Sequence, residues 1–312
     1  MQSRIYLVIC FVLFYCQSIT AQLTWQNCDS LFAPLPFGFH VYKTASLLDG
    51  KPNIAYYAVG ELKNKKLDFT VDTTYRRRLT PAAFYNKNNK PLLVVNGTFF
   101  SFDTNQNLNT VIKNGKIVSH NVRKIRSKTD TTLFRDEKMI RGAIGINNKR
   151  EADIAWVSSD TSNNNFINAW QKPISNVIDM NAKKNKPSKW KMRTAIGGGP
   201  VLVQDGNMLI SNDQEKMFSG KAKFDKHPRT CMGYTKDGKM IIMVIQGRTP
   251  GIAEGASLEQ EAKMLIELGC TEGINLDGGG SSCMLINGKE TITPSDKGLQ
   301  RPVPAVFLIK YQ

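Results

Sequence analysis

The sequence predicts an α+β fold that is mostly antiparallel β-sheet with hairpins, with one long helix near residues 257–269 packed on the sheet. One observation is a set of tight-turn pairs between apolar or β-branched runs, at Asn114-Gly115, Asp205-Gly206, Asp237-Gly238 and Asn287-Gly288. Such pairs are the strongest short-range indication of a β-hairpin. A second observation is that the one long helical pattern does not alternate with strands, as the helices of a doubly wound sheet would.

The N-terminus carries an apolar run at residues 5–16, preceded by Arg4 and followed by a more polar stretch that reaches Ala21. This pattern is typical of a secretory signal peptide and is too short to span a bilayer comfortably. A lipoprotein signal through Cys16 fits less well, because the bulky Tyr15 stands where a small residue is usual. We therefore predict a signal peptide at 1–21 and export to the periplasm or the medium, and we expect residues 22–312 to form a single domain.

Several further runs of apolar and β-branched residues predict the strands of this domain. The expected strands outside the hairpins are 55–59, 67–71, 92–96, 144–146, 154–157 and 303–309. The hairpin strands are expected at 110–112 with 117–118, 201–203 with 208–210, 231–234 with 240–245, and 283–286 with 291–292. A short helix is predicted around residues 82–86.

The long helix has clear start and stop signals. Ser257 followed three residues later by Gln260 forms a capping box, and Gly269 ends the pattern. An apolar stripe at helical spacing consists of Leu258, Ala262, Leu265 and Ile266. The stripe predicts that this face of the helix packs in the core. On the solvent-exposed face, an i,i+4 ladder is formed by Glu259, Lys263 and Glu267.

Charge and cysteine usage limit the classes of partner. Lys and Arg number 42 against 26 acidic residues, a formal charge of +16 that favours anionic partners. An exported chain without a nucleic-acid motif is not expected to bind DNA, and no further run is long enough to cross a membrane. Four cysteines follow the signal peptide, at 28, 231, 270 and 283, and we expect them to be buried, mostly free thiols in a monomer.

The segment most suggestive of chemistry reads Ile-Asn-Leu-Asp-Gly-Gly-Gly-Ser-Ser-Cys and spans residues 274–283. Asp277 follows an apolar run and precedes the glycines Gly278, Gly279 and Gly280, which let backbone N–H groups approach a ligand closely. An ordinary turn does not require three glycines, because each adds chain entropy that folding must remove. We therefore place the centre of the active site at Asp277, with Ser281 as a hydrogen-bonding group.

Two other segments resemble site-forming loops but are ambiguous on their own. The run Gly197–Gly199 leads into a strand, so it lines a pocket or marks a bulge or close strand crossing. Asn96 at the end of a strand can hold a sugar hydroxyl or form a turn. Neither Gly run opens a helix in the pattern of a dinucleotide fingerprint or a P-loop, so a nucleotide site is excluded.

Three arginines at element boundaries, Arg229, Arg248 and Arg301, are candidates for binding a phosphate if they converge. Arg76-Arg77-Arg78 is a further basic run whose role the sequence leaves open. The three histidines do not have the spacing of a multi-histidine zinc site, and no nucleophile elbow is present. We predict no cofactor, and we leave a structural divalent cation open.

Five segments in this order resemble the phosphodiester glycosidase family. They are Asn96-Gly97-Thr98-Phe99-Phe100, Gly197-Gly198-Gly199-Pro200, His227-Pro228-Arg229-Thr230, Gly247-Arg248, and the segment from Asn275 to Ser281. The likeness covers roughly residues 96–307 and leaves 22–90 divergent, so the motifs lie in the part from 91 to 312. The chain is identified as an exported, bacterial-type member, related to enzymes that remove N-acetylglucosamine from a phosphodiester.

The resemblance implies catalytic roles for Asp277 and Asn96. It implies substrate binding by Gly97, Thr98, Gly198, Gly199, Arg229, Arg248, Gly278, Gly279, Gly280, Ser281 and Arg301. Two positions depart from the family pattern. Thr98 stands where a smaller residue is expected, which affects pocket shape, and Gln260 stands where an acidic residue is usual on the helix.

The implied reaction is hydrolysis of a sugar-1-phosphodiester in a phosphorylated glycan. Ordinary glycosidases use two carboxylates because an alcohol must be protonated as it leaves, but a phosphate monoester is already a good anion. One carboxylate with arginines would then suffice, with Asp277 as base or as nucleophile. The alternatives are a non-catalytic protein that binds glycan phosphates or assembles a polymer, and a phosphodiesterase that breaks the P–O bond.

Overall fold

The computed structural model describes residues 22–126, 134–159, 166–174 and 185–312. The predicted signal peptide at 1–21 lies outside these residues. In the described part of the chain, no helix is both long enough and apolar enough to cross a membrane. The predicted division at residue 22 into signal and single domain stays a prediction.

Antiparallel strands dominate the fold and form three large sheets and one two-stranded ribbon. An eight-stranded sheet has the spatial order β1(Gln26–Asn27), β2(Phe39–Thr44), β3(Ala55–Glu61), β18(Lys239–Ile245), β17(Arg229–Thr235), β19(Cys270–Asn275), β15(Val201–Gln204), β16(Asn207–Met208). A seven-stranded sheet has the order β13(Ser188–Trp190), β12(Ile167–Trp170), β11(Ala152–Ser159), β10(Arg141–Ile146), β14(Thr194–Gly197), β6(Val111–Lys113), β7(Lys116–Ser119). A five-stranded sheet has the order β21(Lys289–Glu290), β20(Met284–Ile286), β5(Leu93–Asn96), β22(Ala305–Tyr311), β4(Leu67–Thr73), and the ribbon pairs β8(Val122–Arg126) with β9(Phe134–Lys138).

The described residues contain few helices. They are α1(Asp29–Phe32), α2(Pro81–Lys87), α3(Asn212–Glu215) and α4(Leu258–Glu267), with 3₁₀ turns at Gly220–Lys223 and Gly279–Ser281. The helix predicted near 257–269 is confirmed as α4, and the short helix predicted around 82–86 is confirmed as α2. Because α4 has only ten residues and the other helices in the described part of the chain are shorter, the fold is more β-rich than the α+β label implies.

Each of the four predicted hairpins is present, joining β6 to β7, β15 to β16, β17 to β18 and β20 to β21. Asn114 and Gly115 have φ of 51° and 76°, and Asn287 and Gly288 have φ of 48° and 79°. These left-handed values are what a tight two-residue turn requires, and Asn and Gly adopt them most readily.

Strand β18 shows why the eight-stranded sheet sits in the middle of the molecule. Its run Met-Ile-Ile-Met-Val-Ile is apolar at every position, as expected for a strand buried on both faces. Ile241, Met243 and Ile245 pack on one face in a cluster with residues of α4. The alternate residues Met240, Ile242 and Val244 pack on the other face in the large core cluster, which includes residues of the other two large sheets.

The four cysteines at 28, 231, 270 and 283 are buried and unpaired, so the prediction of free, buried thiols is confirmed. Burial raises the pKa of the Cys270 thiol to about 12. These thiols are therefore protonated packing groups under ordinary conditions.

Candidate active site

The candidate site lies where the chain crosses from the eight-stranded to the five-stranded sheet. After β19 ends at Asn275, the chain passes through Asp277 and the 3₁₀ turn Gly279–Ser281 and then enters β20. The N–H of Asp277 donates to the carbonyl of Gly97 at 2.9 Å, and the side-chain amide of Asn96 donates to the carbonyl of Asp277 at 2.5 Å. Both peptide groups of Asp277 are thus held by the residues that end β5.

The carboxyl group of Asp277 is recessed, and one of its oxygens has no hydrogen-bond partner among the described residues. The residue as a whole is half-buried, yet its Oδ2 atom has no accessible surface and no hydrogen-bond partner among the described residues. Burial raises the pKa of Asp277 to about 7, against hydrogen bonds from Ser281 and Gly278 and the charge of Arg301, which act to lower the pKa. A carboxyl group with this pKa exchanges a proton near neutral pH, which suits general acid–base chemistry.

The glycines after Asp277 let two guanidinium groups approach the main chain. A Cβ placed on Gly279 would lie 3.0 Å from Nη2 of Arg248, and one placed on Gly280 would lie 2.1 Å from Nη2 of Arg301. Gly279 also has a left-handed φ of 62°, and its N–H donates to the carbonyl of Pro228 at 2.8 Å. The run of glycines is therefore required by close approach, and it brings Arg248 and Arg301 to the loop that carries Asp277.

Of the three arginines predicted to bind phosphate, Arg229 is placed differently. It is only 2% exposed, and its guanidinium donates to the carbonyls of Ala256 at 2.9 Å and Asp225 at 3.1 Å. Its guanidinium carbon also lies 5.7 Å from the ring centre of Phe218. Arg248 is exposed and Arg301 is partly exposed, so these two are available to a ligand, whereas Arg229 is buried and bonded within the protein.

Asn96 is fully buried, and its side chain acts within the protein. Its amide oxygen accepts from the hydroxyl of Thr230 at 2.9 Å and from the N–H of Cys283 at 3.1 Å, while its amide nitrogen donates to Asp277. This arrangement favours positioning of Asp277 over the predicted direct catalytic role.

Gly97 and Thr98, predicted to bind substrate, are also buried. A Cβ on Gly97 would lie 2.1 Å from Cδ1 of Ile196, so glycine is needed there for packing. The hydroxyl of Thr98 donates to Oδ1 of Asn107 at 2.5 Å, which in turn is joined to Thr73. The larger residue at 98 is thus accommodated by an internal hydrogen bond, and contact of either residue with substrate is not supported.

The second Gly run forms the crossing from the seven-stranded to the eight-stranded sheet. A Cβ on Gly198 would lie 2.4 Å from the carbonyl oxygen of Asn275, and one on Gly199 would lie 2.5 Å from Oε2 of Glu215. Both glycines are buried. Of the two interpretations that the sequence allowed, the close crossing is the one that the geometry favours. Gly198 and Gly199 do not line an open pocket.

Three residues near the site were given no role from the sequence. His227 is half-buried beside Arg248, with Nδ1 at 3.4 Å from Nη2, and burial followed by the charges of Arg229 and Arg248 lowers its pKa. Glu215 is fully buried, and it accepts hydrogen bonds from the backbone N–H groups of Gly142 and Val201, the indole N–H of Trp156 and the hydroxyl of Ser211. Glu261 on α4 is fully buried, and its carboxyl group is subject to the charge of Arg229 and to a hydrogen bond from the thiol of Cys231.

The helical spacing could have identified Glu261. It lies three residues after Leu258 and four before Leu265, both in the apolar stripe, so it belongs to the buried face. Burial raises its pKa to about 8, although the charge of Arg229 acts to lower it. No comparable pattern marks His227 or Glu215, because their surroundings come from distant parts of the chain.

The candidate site therefore combines the recessed carboxyl group of Asp277 with two guanidinium groups that are more exposed. Asp277, Gly278 and Gly279 are partly exposed, and Arg248 and Arg301 flank them. Among the described residues no group of three or more His, Cys, Asp or Glu side chains is arranged to hold a metal ion. An anion can bind to the arginines while a neighbouring electrophilic centre faces Asp277.

Comparisons with known proteins bear on this arrangement. Residues 89–310 match the sequence profile of the phosphodiester glycosidase family. The N-acetylglucosamine-1-phosphodiester alpha-N-acetylglucosaminidase of Mus musculus is 31% identical over 109 residues, which are 32% of this chain and 21% of the relative. The SPbeta prophage-derived uncharacterized protein YomE of Bacillus subtilis (strain 168) is 34% identical over 86 residues, 28% of this chain and 13% of the relative.

Among solved structures, the zebrafish N-acetylglucosamine-1-phosphodiester alpha-N-acetylglucosaminidase catalytic domain, auto-inhibited by its pro-peptide, has a TM-score of 0.58 and 19% identity. The match covers 94% of this chain and 89% of that one. At this identity the likeness concerns the fold. The matched segments of the two curated relatives are about a fifth of their length or less.

Proposed function

Since this chain belongs to the phosphodiester glycosidase family, we propose that it hydrolyses sugar-1-phosphodiesters in phosphorylated glycans, with N-acetylglucosamine or a similar sugar as the group released. The observation that carries the proposal is the recessed carboxyl group of Asp277, whose Oδ2 has no partner, beside the exposed Arg248 and partly exposed Arg301. The names of the mouse and zebrafish relatives support the choice of sugar.

In the proposed reaction Asp277 acts as a general base. Its carboxylate removes a proton from a water molecule, and the water oxygen forms a bond to the anomeric carbon. The bond between that carbon and the phosphate oxygen breaks, and its electron pair leaves with the phosphate monoester. A pKa of about 7 makes Asp277 a stronger base than an ordinary aspartate, and this favours the base over a carboxylate nucleophile.

The arginines take the complementary role. Arg248 and Arg301 bind the phosphodiester oxygens and stabilise the charge that develops on the leaving phosphate, since guanidinium groups match two phosphate oxygens at once. The anionic substrate would otherwise repel the carboxylate. Because the leaving group is already an anion, no second carboxylate is needed to protonate it.

The test uses N-acetylglucosamine-1-phosphodiester as substrate in ¹⁸O-labelled water. We expect the label in the anomeric hydroxyl of the sugar and none in the phosphate, and NMR of the first product should show inverted configuration. Retention would assign Asp277 as nucleophile instead. Label in the phosphate would contradict the glycosidase and support a phosphodiesterase.

The Asp277→Asn variant separates an enzyme from a binding protein. We expect it to stay folded and to lose at least about 100-fold in kcat, as is usual when a general base is removed. Asp277→Ala is the companion variant, because it cannot revert to aspartate by deamidation. Substrate binding without turnover in the wild-type protein would support the non-catalytic alternative.

A further inference from the structure

A second cationic surface extends outward from the candidate active site. Phe102 is 61% exposed, and two guanidinium groups lie against its ring, that of Arg78 at 5.2 Å and that of Arg301 at 5.5 Å from the centre. Arg78 is also 5.2 Å from the ring centre of Phe100, which lies 4.8 Å from that of Phe102. One exposed ring thus joins Arg301, which touches the Asp277 loop, to Arg78, which lies farther along the surface.

Backbone hydrogen bonds hold together the two segments that carry Arg78 and Arg301. The N–H of Thr74 donates to the carbonyl of Pro304 at 2.9 Å, and Leu79 and Val303 exchange two hydrogen bonds at 3.0 and 2.8 Å. The segment that carries Arg78 is therefore fastened to the segment that follows Arg301. Contacts with aromatic rings further restrict the guanidinium groups, so little conformational entropy is lost when they bind an anion.

This surface has an unbalanced positive charge. Arg76, Arg77 and Arg78 are consecutive, and none of them forms an ion pair with a carboxylate in the described part of the chain. Arg301 uses only Nε to bind Asp296, at 2.9 Å. Its two Nη groups and the guanidinium of Arg78 can therefore bind anions, and phosphate oxygens match their geometry.

A cavity of about 410 Å³ with both polar and apolar lining adjoins the same loop. Its lining includes Tyr75, Arg76, Gln106, Asn107, Ser119 and His120. Asn107 connects this cavity to the residues that end β5, because its side chain bonds both Thr98 and Thr73. Amide, hydroxyl and aromatic groups around a cavity of this size suit a sugar ring.

We propose that Arg78, Phe102 and the adjoining cavity form a second subsite that binds the next phosphate and sugar of a polymeric substrate. The inference rests on the proposed function and adds a substrate class to it, a glycan whose sugars are joined by repeated phosphodiesters. Arg301 binds the phosphate of the leaving group, and Arg78 binds the next phosphate along the polymer.

The experiment compares a substrate with a single phosphodiester and a matched oligomer with two phosphodiesters. The variants are Arg78→Ala and, as a control of equal charge, Lys65→Ala, which lies beyond the other end of β4 and is exposed. We expect Arg78→Ala to raise KM for the oligomer on the order of tenfold, since hydrogen bonds to charged groups contribute this much. The single-phosphodiester substrate does not reach Arg78 and should keep its kcat/KM, and Lys65→Ala should change neither substrate.

Binding measured without turnover separates this inference from the proposed function. Calorimetry with the Asp277→Asn background and the two-phosphate oligomer should show weaker binding when Arg78 is replaced, and a neutral oligosaccharide of equal length should bind weakly to both proteins. Failure of the wild-type protein to hydrolyse either substrate would overturn the proposed function alone. Equal effects of Arg78→Ala and Lys65→Ala on oligomer binding, or equal losses on both substrates, would overturn the second subsite.

Discussion

The carboxyl group of Asp277 is held where ionisation is unfavourable. Its main chain is fixed by Gly97 and Asn96, so the backbone cannot move the carboxyl group outward to water without breaking those hydrogen bonds. A group whose folded pKa exceeds its ordinary value stabilises the fold when protonated, and this contribution is lost as pH rises through the folded pKa. For Asp277 the loss falls between its ordinary value of 3.8 and about 7.

The raised pKa of Asp277 has two consequences: activity should increase with pH, while the stability that the protonated carboxyl group gives the wild-type protein should decrease. Because the base form is the deprotonated one, kcat/KM should rise with pH through about 7. Over the same range the melting temperature of Asp277→Asn should rise relative to wild type, since the amide carries no charge at any pH. Thermal melts at pH 4 and pH 7.5 check this, and an equal difference at both pH values would show that Asp277 has an ordinary pKa.

The arginines should divide into binding and supporting residues. Arg248→Ala should raise KM for a phosphodiester by about tenfold or more and leave a neutral aryl glycoside nearly unaffected, because only the former has a charge for Arg248 to bind. Arg229→Ala should instead lower the melting temperature, since it removes a buried guanidinium bonded to two carbonyls. Steady-state kinetics on both substrates and thermal melts separate the two roles. A selective KM effect of Arg229→Ala in a fully stable protein would contradict this division.

At the scale of elements, helix α4 contains both a buried and an exposed acid. Glu261 lies on the face packed against the eight-stranded sheet, whereas Glu259 is exposed and pairs with Lys263 at 2.8 Å. The pKa of Glu261 is raised to about 8, so its protonated form is the one that the fold prefers. Stability from this group is lost as pH rises from 4.5 through 8.

Replacement of the two acids on α4 should give contrasting results. Glu261→Gln should change stability little at pH 5 and increase it at pH 9, because it removes a buried charge that forms only at the higher pH. Glu259→Gln is the matched control, and it should have little effect at either pH, since exposed ion pairs contribute little. Urea titrations at the two pH values provide the measurement. A Glu261→Gln protein that is less stable at pH 9 than wild type would show that the charged form is stabilised, with Arg229 as its partner.

Sequence patterns predicted those elements that are determined locally. The Asn-Gly and Asp-Gly turns and the Ser257–Gln260 capping box act over a few residues, so the hairpin turns and α4 could be identified. The bounds were wrong for the second strands of two hairpins, because β16 is 207–208 where 208–210 was predicted and β21 is 289–290 where 291–292 was predicted. Strands β1, β2, β8, β9, β12, β13 and β14 were not predicted. Strand β14 contains Thr-Ala-Ile-Gly, which has no alternation, and its position depends on pairing with β10 and β6, far away in the chain.

The site was predictable where one segment contains all of its parts. Asp277 and its glycines are consecutive, so their chemistry could be read directly from the sequence. The burial of Asn96, Thr98 and Arg229 could not, because their partners Cys283, Asn107 and Ala256 are brought together by the meeting of sheets. A motif thus indicates a candidate site without separating its exposed residues from its buried ones.

For the whole molecule, the formal charge of +16 should govern encounters with anionic glycans. Salt screens attraction over about 10 Å at 0.1 M, so kcat/KM for a phosphorylated oligomer should fall steeply as ionic strength increases. A neutral aryl glycoside should show little change. Kinetics from 20 to 500 mM NaCl on both substrates test this, with sodium acetate in place of NaCl as a control for specific anion binding. Equal salt dependence for both substrates would mean that charge does not guide association.

The position of Asp277 at the connection between two sheets has a consequence for what is lost first when the protein is denatured. Its N–H and carbonyl are bound by residues that end a strand of the five-stranded sheet, while the strand before it belongs to the eight-stranded sheet. A small separation of the two sheets would displace the carboxyl group while every hairpin remained intact. With Asp277 in its proposed role, activity should therefore be lost under milder denaturing conditions than secondary structure.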